Sequence, residues 1–453
     1  MSQVIAAIST APQPGAIGIL RLSGDGAIAV ADRVFTAASG KPLADTADRR
    51  LVLGSLHDTQ GRVLDQVLAT VSRAPHSYTG EDTAELHCHG SLAVLAAGLQ
   101  ALFAAGAQQA GPGEFTKRAF LNGCLDLSQA EAVIDLIEAD TAEAAANAAG
   151  QLSGAVRSRI DPLYDRLAGL CAHFHAVLDY PDEDIEDFRN SEITEAVSSA
   201  QTDLAALAAT YRRGTVLKNG LDAVILGKPN VGKSSLLNAL AGYDRVIVTD
   251  VAGTTRDAVT EVLKLGSIKL RLTDTAGIRD TDDQIEAMGV ERSRQAARKA
   301  KLALCVFDGS RPLDDEDQAA MAAAWEAEHA IALLNKQDLP QQVSPADLPF
   351  DWVIPLCTKT GEGLDSLERV VEELFPLDLP CDGTLLTNAR QAGAVFLASE
   401  ALERATAALR QGLTPDAVLV DVEEAMELLG QINGRTARTE ITDQIFSRFC
   451  VGK

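Results

Sequence analysis

Residues Gly227 to Ser234 read GKPNVGKS, a full match to the phosphate-binding spacing GxxxxGK[ST]. Two further segments follow in order, Asp274-Thr275-Ala276-Gly277 and Asn335-Lys336-Gln337-Asp338. Together the three imply binding and hydrolysis of a guanine nucleotide. In such a loop, backbone N–H groups and a helix N-terminus cradle phosphate oxygens, here over Asn230, Val231, Gly232, Lys233, Ser234 and Ser235. Lys233 adds charge at the β- and γ-phosphates, and the Ser234 hydroxyl can ligate Mg²⁺. Asp274 suits an outer-shell role toward that metal. Thr275 and Ala276 lead from it to Gly277, whose amide could meet the γ-phosphate. Asp338 can accept from the two N–H groups on one guanine edge, the Asn335 amide can serve the other edge, and the Lys336 stem can cover the base.

These groups need strands and loops to aim them. Asp222 to Leu226 (DAVIL) is an apolar run suited to a buried parallel strand, Val231 to Leu240 opens a helix, and Ile268 to Leu272 is a second strand leading to Asp274. Before this α/β module, residues 1–120 mix alternating runs (Ile17 to Leu22, Val63 to Val71, Ala84 to His89) with one helical stretch, Leu92 to Ala105, and read as α+β. Ala-rich helical spacing runs from Ser128 to Tyr211 and returns over Asn388 to Leu409 and Pro415 to Leu429. The expected fold is multidomain, α+β and α/β. Its parts are an N-terminal domain at 1–120, a discontinuous helical domain at 121–218 and 379–453, and an inserted Ras-like P-loop domain at 219–378.

The 453 residues are 46% hydrophobic and 23% charged, a globular composition, with no apolar run able to span a bilayer. The first residues lack the basic segment of a signal peptide. Seven cysteines without CxxC pairs suit a reducing compartment, so the expectation is a cytoplasmic protein. A net charge of −24 argues against non-specific nucleic-acid affinity, so any RNA contact must use local basic surface.

Several tempting residues have ordinary readings. On a strand, His87 and His89 share one face and Cys88 takes the other, so the three cannot meet one metal ion. Arg292, Arg294, Arg298, Lys299 and Lys301 read as a solvated helix face, and the acidic run Asp179 to Phe188 as a solvated turn and helix start. Cys450 is the fourth residue from the end, but Gly452 and Lys453 do not fit a prenylation box, leaving a buried structural cysteine or a functional thiol.

Beyond the nucleotide motifs, the chain resembles the bacterial tRNA modification GTPase family MnmE, also called TrmE, over essentially its full length. The matching segments are GILRLSG (Gly18 to Gly24), TGEDTAELHCHG (Thr79 to Gly90), PGEFTKRAFLNG (Pro112 to Gly123), TDVAGTTRD (Thr249 to Asp257) and FCVGK (Phe449 to Lys453). The resemblance implies that 1–120 is a folate-binding, dimerising domain and that the protein is a homodimer. It implies a partner, the FAD-containing MnmG, and tRNA as substrate. The pair would install an aminomethyl-type group (carboxymethylaminomethyl) on carbon 5 of the wobble uridine, with the carbon taken from 5,10-methylene-tetrahydrofolate. A reduced folate, this one or the 5-formyl form, would sit against Arg21, Glu85 and Lys453. Cys124 stands where the family commonly has a basic residue, and a thiol cannot replace a cation for folate's acidic groups. The family tail also favours a functional role for Cys450.

Ras-type proteins place a water-orienting Gln after DTAG; Ile278 stands there and can orient nothing. By resemblance, Glu286 takes that role through a bridging water, and Thr255 supplies the second Mg²⁺ hydroxyl. With no built-in arginine finger, a K⁺ ion is expected to offset charge between the β- and γ-phosphates. It would be held by Asn230 and by oxygens of Thr249, Val251 and Thr254, the positions matching the family's potassium loop. The alternative is a regulatory or ribosome-assembly GTPase; the folate-type domain and the FCVGK tail favour tRNA modification.

Overall fold

The structure is a computed structural model and describes residues 2–179, 190–243, 261–272, 294–376, 382–436, 442, 445–447 and 449–452. It is a mixed α/β protein whose contacts divide it into two units.

The first unit, 1–134, 151–204 and 394–453, is built on a seven-stranded sheet. Its strands are β1 (Ile5–Ile8), β2 (Gly15–Ser23), β3 (Phe35–Ala37), β4 (Val52–His57), β5 (Val63–Ser72), β6 (Thr83–Gly90) and β7 (Gln108–Gln109), in the order β3-β4-β5-β6-β2-β1-β7. All neighbours are antiparallel except β1 and β7. Period-two alternation turns Leu20, Leu22, Val67, Ala69, Leu86 and Cys88 into one core, over which the helix Leu92–Ala104 packs. Gly98 permits that approach, since a Cβ there would stand 2.8 Å from Leu20 Cδ1 and 2.9 Å from Leu56 Cδ2. His87 is half-buried and His89 exposed opposite the buried Cys88, as the strand reading required. In the same unit the helix Ala155–Asp179 buries Ile160, Leu163, Leu167 and Leu170, and packs on the helix Pro415–Asn433, which buries Val418, Val422, Ala425 and Leu429. This spacing of three and four residues makes one apolar stripe on each helix.

The second unit, 135–150 and 205–393, has a six-stranded sheet. It comprises β8 (Leu221–Leu226), β9 (Glu261–Leu265), β10 (Ile268–Leu272), β11 (Leu302–Asp308), β12 (His329–Asn335) and β13 (Trp352–Pro355), in the order β13-β12-β11-β8-β10-β9. Pairings are parallel except for the edge hairpin β9–β10. Helices cover both faces. Lys233–Tyr243 and Leu364–Leu374 lie over Ile225, Leu304 and Leu333, and Asp315–Ala324 lies over Leu226, Cys305 and Phe307. Burial on two faces explains why β11 is an unbroken apolar run. With β11 on one side of β8 and β10 on the other, the loop after β8 sits where chain direction around the sheet reverses, the crevice in which such sheets bind ligands.

Candidate nucleotide site

The loop after β8 turns through left-handed backbone at Gly227 (φ 140°), Asn230 (φ 61°) and Gly232 (φ 109°). Such geometry cannot continue a helix, so the helix begins at Lys233 and not at Val231 as the apolar pattern suggested. Glycine is also required sterically. A Cβ on Gly227 would stand 2.5 Å from Val306 O of β11, and one on Gly232 would collide with Asn335 Nδ2. Val231 is buried in the core, so its offer to a nucleotide is backbone only. Asn230 is exposed, and Ser234 and Ser235 open the helix.

Lys233 folds back over its own loop, donating from Nζ to Gly227 O (2.7 Å) and Lys228 O (2.8 Å). Burial holds its pKa below the ordinary lysine value.

At the end of β12, the Asn335 side chain has protein partners of its own. Its amide is buried and engaged: Nδ2 donates to Val231 O (2.8 Å), and Oδ1 accepts from Thr358 N (3.1 Å). Asn335 therefore ties the phosphate loop to the loop after β13, and what it keeps for a base is the second N–H of Nδ2. Lys336, at φ 64°, donates from Nζ to Asp308 Oδ2 at 2.6 Å. Burial of Asp308 opposes its charge, but the bonds from Lys336 and Ser310 outweigh this and hold its carboxyl below the usual range. Asp338 remains partly exposed, with Lys359 Nζ 4.0 Å away. The structure thus brings together 230–235 and 335–338. Sequence reasoning missed Asp308 and the loop Cys357–Gly361, whose signal was a polar stretch between an apolar strand and a helix. Thr249, Val251, Thr254, Thr255, Asp274, Thr275, Ala276, Gly277, Glu286 and Lys453 lie outside the described residues.

In the first unit, two of the residues expected at a folate are partners of each other. Arg21 on β2 stands opposite Glu85 on β6, with Nε donating to Oε1 at 2.8 Å. Glu85 Oε2 lies 3.1 Å from His87 Nε2, and the Arg21 guanidinium is 5.8 Å from the Phe115 ring and 6.0 Å from Tyr78. Burial of Glu85 works against its charge, yet Arg21 and His87 hold its carboxyl below the ordinary range. Cys124 is exposed beside Gly80, in a turn fixed by Asn122 Nδ2 donating to Thr79 O at 2.7 Å. Cys450 is exposed as well, which overturns its reading as a buried cysteine. Its backbone is nonetheless anchored: Cys450 O accepts from Gly113 N (3.2 Å), Val451 bridges Pro112, and Gly452 O accepts from Ser9 Oγ (2.9 Å).

Residues 4–124 match the family profile "GTP-binding protein TrmE N-terminus", and 127–450 match "MnmE helical domain". Curated relatives named tRNA modification GTPase MnmE align over nearly their whole length. That of Streptococcus thermophilus is 42% identical, covering 99% of this chain and 98% of its own. Those of Geobacillus thermodenitrificans (42%, 99% of each chain) and Clostridioides difficile (40%, 100% of each) are similar. Among solved structures, the G domain of the T. maritima FeoB iron transporter aligns at 22% identity over 34% of this chain and 97% of its own, with a TM-score of 0.26, too low to assign a fold.

Proposed function

The chain belongs to the MnmE family of tRNA modification GTPases, and from that membership we propose that GTP hydrolysis at Gly227–Ser234 drives a tRNA-modifying complex. The complex adds a carboxymethylaminomethyl-type group to carbon 5 of the wobble uridine. A reduced folate supplies the carbon, and the FAD-containing MnmG is the partner. The observation that carries the nucleotide part is the knot of Lys233, Val231, Asn335 and Thr358, which draws three loops together at the ends of parallel strands.

In this reading Lys233 exchanges its two carbonyls for the β- and γ-phosphates, and Asp338 reads the guanine N–H edge. Ser234 and Thr255 would hold Mg²⁺; Asn230, Thr249, Val251 and Thr254 would hold K⁺; these ions supply charge at the phosphates. Glu286 orients the attacking water, because Ile278 cannot. Residues 1–120 form the folate-binding, dimerising domain, 121–218 with 379–453 the helical domain, and 219–378 the inserted GTPase domain. Homodimerisation is supported by exposed apolar side chains on the first sheet, Leu53 paired with Leu68 and, on β2, Ile17. Tyr78, exposed beside Arg21, offers a ring face for a folate, with the buried Phe115 packed behind the guanidinium. The folate would meet Arg21, Glu85, Cys124 and Lys453, and the exposed Cys450 takes part in modification.

The test is mass spectrometry of wobble uridines from cells lacking this gene and complemented with wild type or Lys233→Ala. Modification restored by wild type and not by the variant supports the proposal. Wobble uridines that stay fully modified in the cells lacking the gene would overturn the tRNA role.

A further inference from the structure

Lys228, the first variable position of the phosphate loop, is held from outside the loop. Its Nζ donates to Asp314 Oδ2 at 2.6 Å and to Asp317 Oδ2 at 2.7 Å. Both carboxylates open the helix Asp315–Ala324, where Asp314 is the N-cap and Asp317 completes a capping box. Asp317 is 2% exposed, and its Oδ1 has no hydrogen-bond partner among the described residues, so Lys228 offsets this buried charge. The carbonyl of the same Lys228 accepts from Lys233 Nζ. A chain of contacts therefore runs from Asp317 through the side chain of Lys228 to its backbone, and from there to the lysine expected at the phosphates.

Asp317 lies on the face of the sheet opposite the helix that Lys233 opens. We infer that Asp317, with Asp314, is a positioning residue that clamps Lys228 and holds the empty loop in the shape that receives phosphate. Without the clamp, the Gly227–Gly232 loop samples other conformations and must be reordered by the nucleotide. That cost falls equally on ground and transition states, so it raises KM and leaves kcat in place. The inference rests on the nucleotide-binding reading of this loop.

The experiment measures binding of a fluorescent GDP analogue, competed by GTP, together with kcat, KM and melting temperature in the full-length protein. Asp317→Asn should weaken binding and raise KM about tenfold, with kcat within about twofold of wild type. Lys228→Gln should do the same, Lys228→Arg should stay within about threefold of wild type, and the double variant should be no weaker than Lys228→Gln alone. Binding by Asp317→Asn within about twofold of wild type, a fall in kcat at unchanged KM, or additive losses in the double variant would overturn the clamp. Should Asp317→Asn melt far below wild type, the double variant decides by the same criteria, because it leaves no buried charge unpaired. A wild-type protein that binds no GTP overturns the nucleotide reading and the clamp together. Tight wild-type binding untouched by Asp317→Asn overturns the clamp alone.

Discussion

Asn335 closes on Gly232: the amide nitrogen that holds the Val231 carbonyl at 2.8 Å occupies the space a Cβ on Gly232 would need. Gly232→Ala must therefore push the phosphate loop off the 335 strand end while also straining a backbone at φ 109°. We expect a loss of about 1–3 kcal/mol in stability and nucleotide affinity reduced by about 100-fold. The contrast is Gly242→Ala in the following helix, where a Cβ meets nothing within 4 Å and stability should hold or rise by up to about 1 kcal/mol. Melting curves and fluorescent-nucleotide titrations of the two variants check this; equal behaviour would refute it.

Base selection should rest on Asp338, the acceptor left partly open at the end of this loop. Asp338→Asn replaces an acceptor with a donor. GTP affinity should fall by at least about 100-fold while xanthosine triphosphate binding improves. Retained GTP preference in competition assays would remove Asp338 from the base site.

Hydrolysis should depend on potassium. Ile278 cannot orient water, and a cation between the β- and γ-phosphates is the missing charge, a contribution worth roughly 10³–10⁵ in rate when an arginine supplies it. Wild-type turnover should be at least about tenfold faster in KCl than in matched NaCl, and Asn230→Ala should lose the difference. Equal wild-type rates in the two salts would sink the idea.

Cys450 combines an exposed thiol with a fixed backbone, since Gly113, Pro112 and Ser9 hold the residues around it. Cys450→Ser keeps the size and the anchoring and removes the thiol chemistry. GTP hydrolysis should stay within about twofold while wobble-uridine modification drops at least about tenfold. Intact modification would show that the thiol is not used.

The Arg21–Glu85 pair predicts a pH dependence with a defined sign. The folded-state pKa of Glu85 lies below its reference value of 4.5, held down by Arg21 and His87 against the opposing effect of burial. The resulting stability is fully present above pH 4.5 and is lost as pH falls through the depressed folded value. Glu85→Gln should cost about 1–2 kcal/mol at pH 7, and the gap to wild type should close on acidification below that reference. Urea melts of both proteins from neutral to acid pH measure it; a gap that persists in acid would mean the charge is not the source.

The sequence by itself determined the elements and the backbone cradle, because these depend on short-range rules. Alternation in Ala84 to His89 set its faces, the apolar runs Asp222 to Leu226 and Ile268 to Leu272 announced buried strands, and the spacing of 227–234 marked a phosphate loop between strand and helix. Family membership was legible in the same way, through contiguous segments such as PGEFTKRAFLNG. What the tertiary structure decided was partnership. Asn335 and Val231 are 104 positions apart, Lys228 and Asp317 are 89, and Arg21 and Glu85 are 64. Strand order, and not local pattern, carries these pairs into contact. Thus Asn335 ties two loops together, Arg21 finds its countercharge in the chain itself, and Cys450 lies exposed next to the buried Phe449 in sequence. A side chain's polarity states what it needs; only the packed fold determines which distant residue satisfies that need.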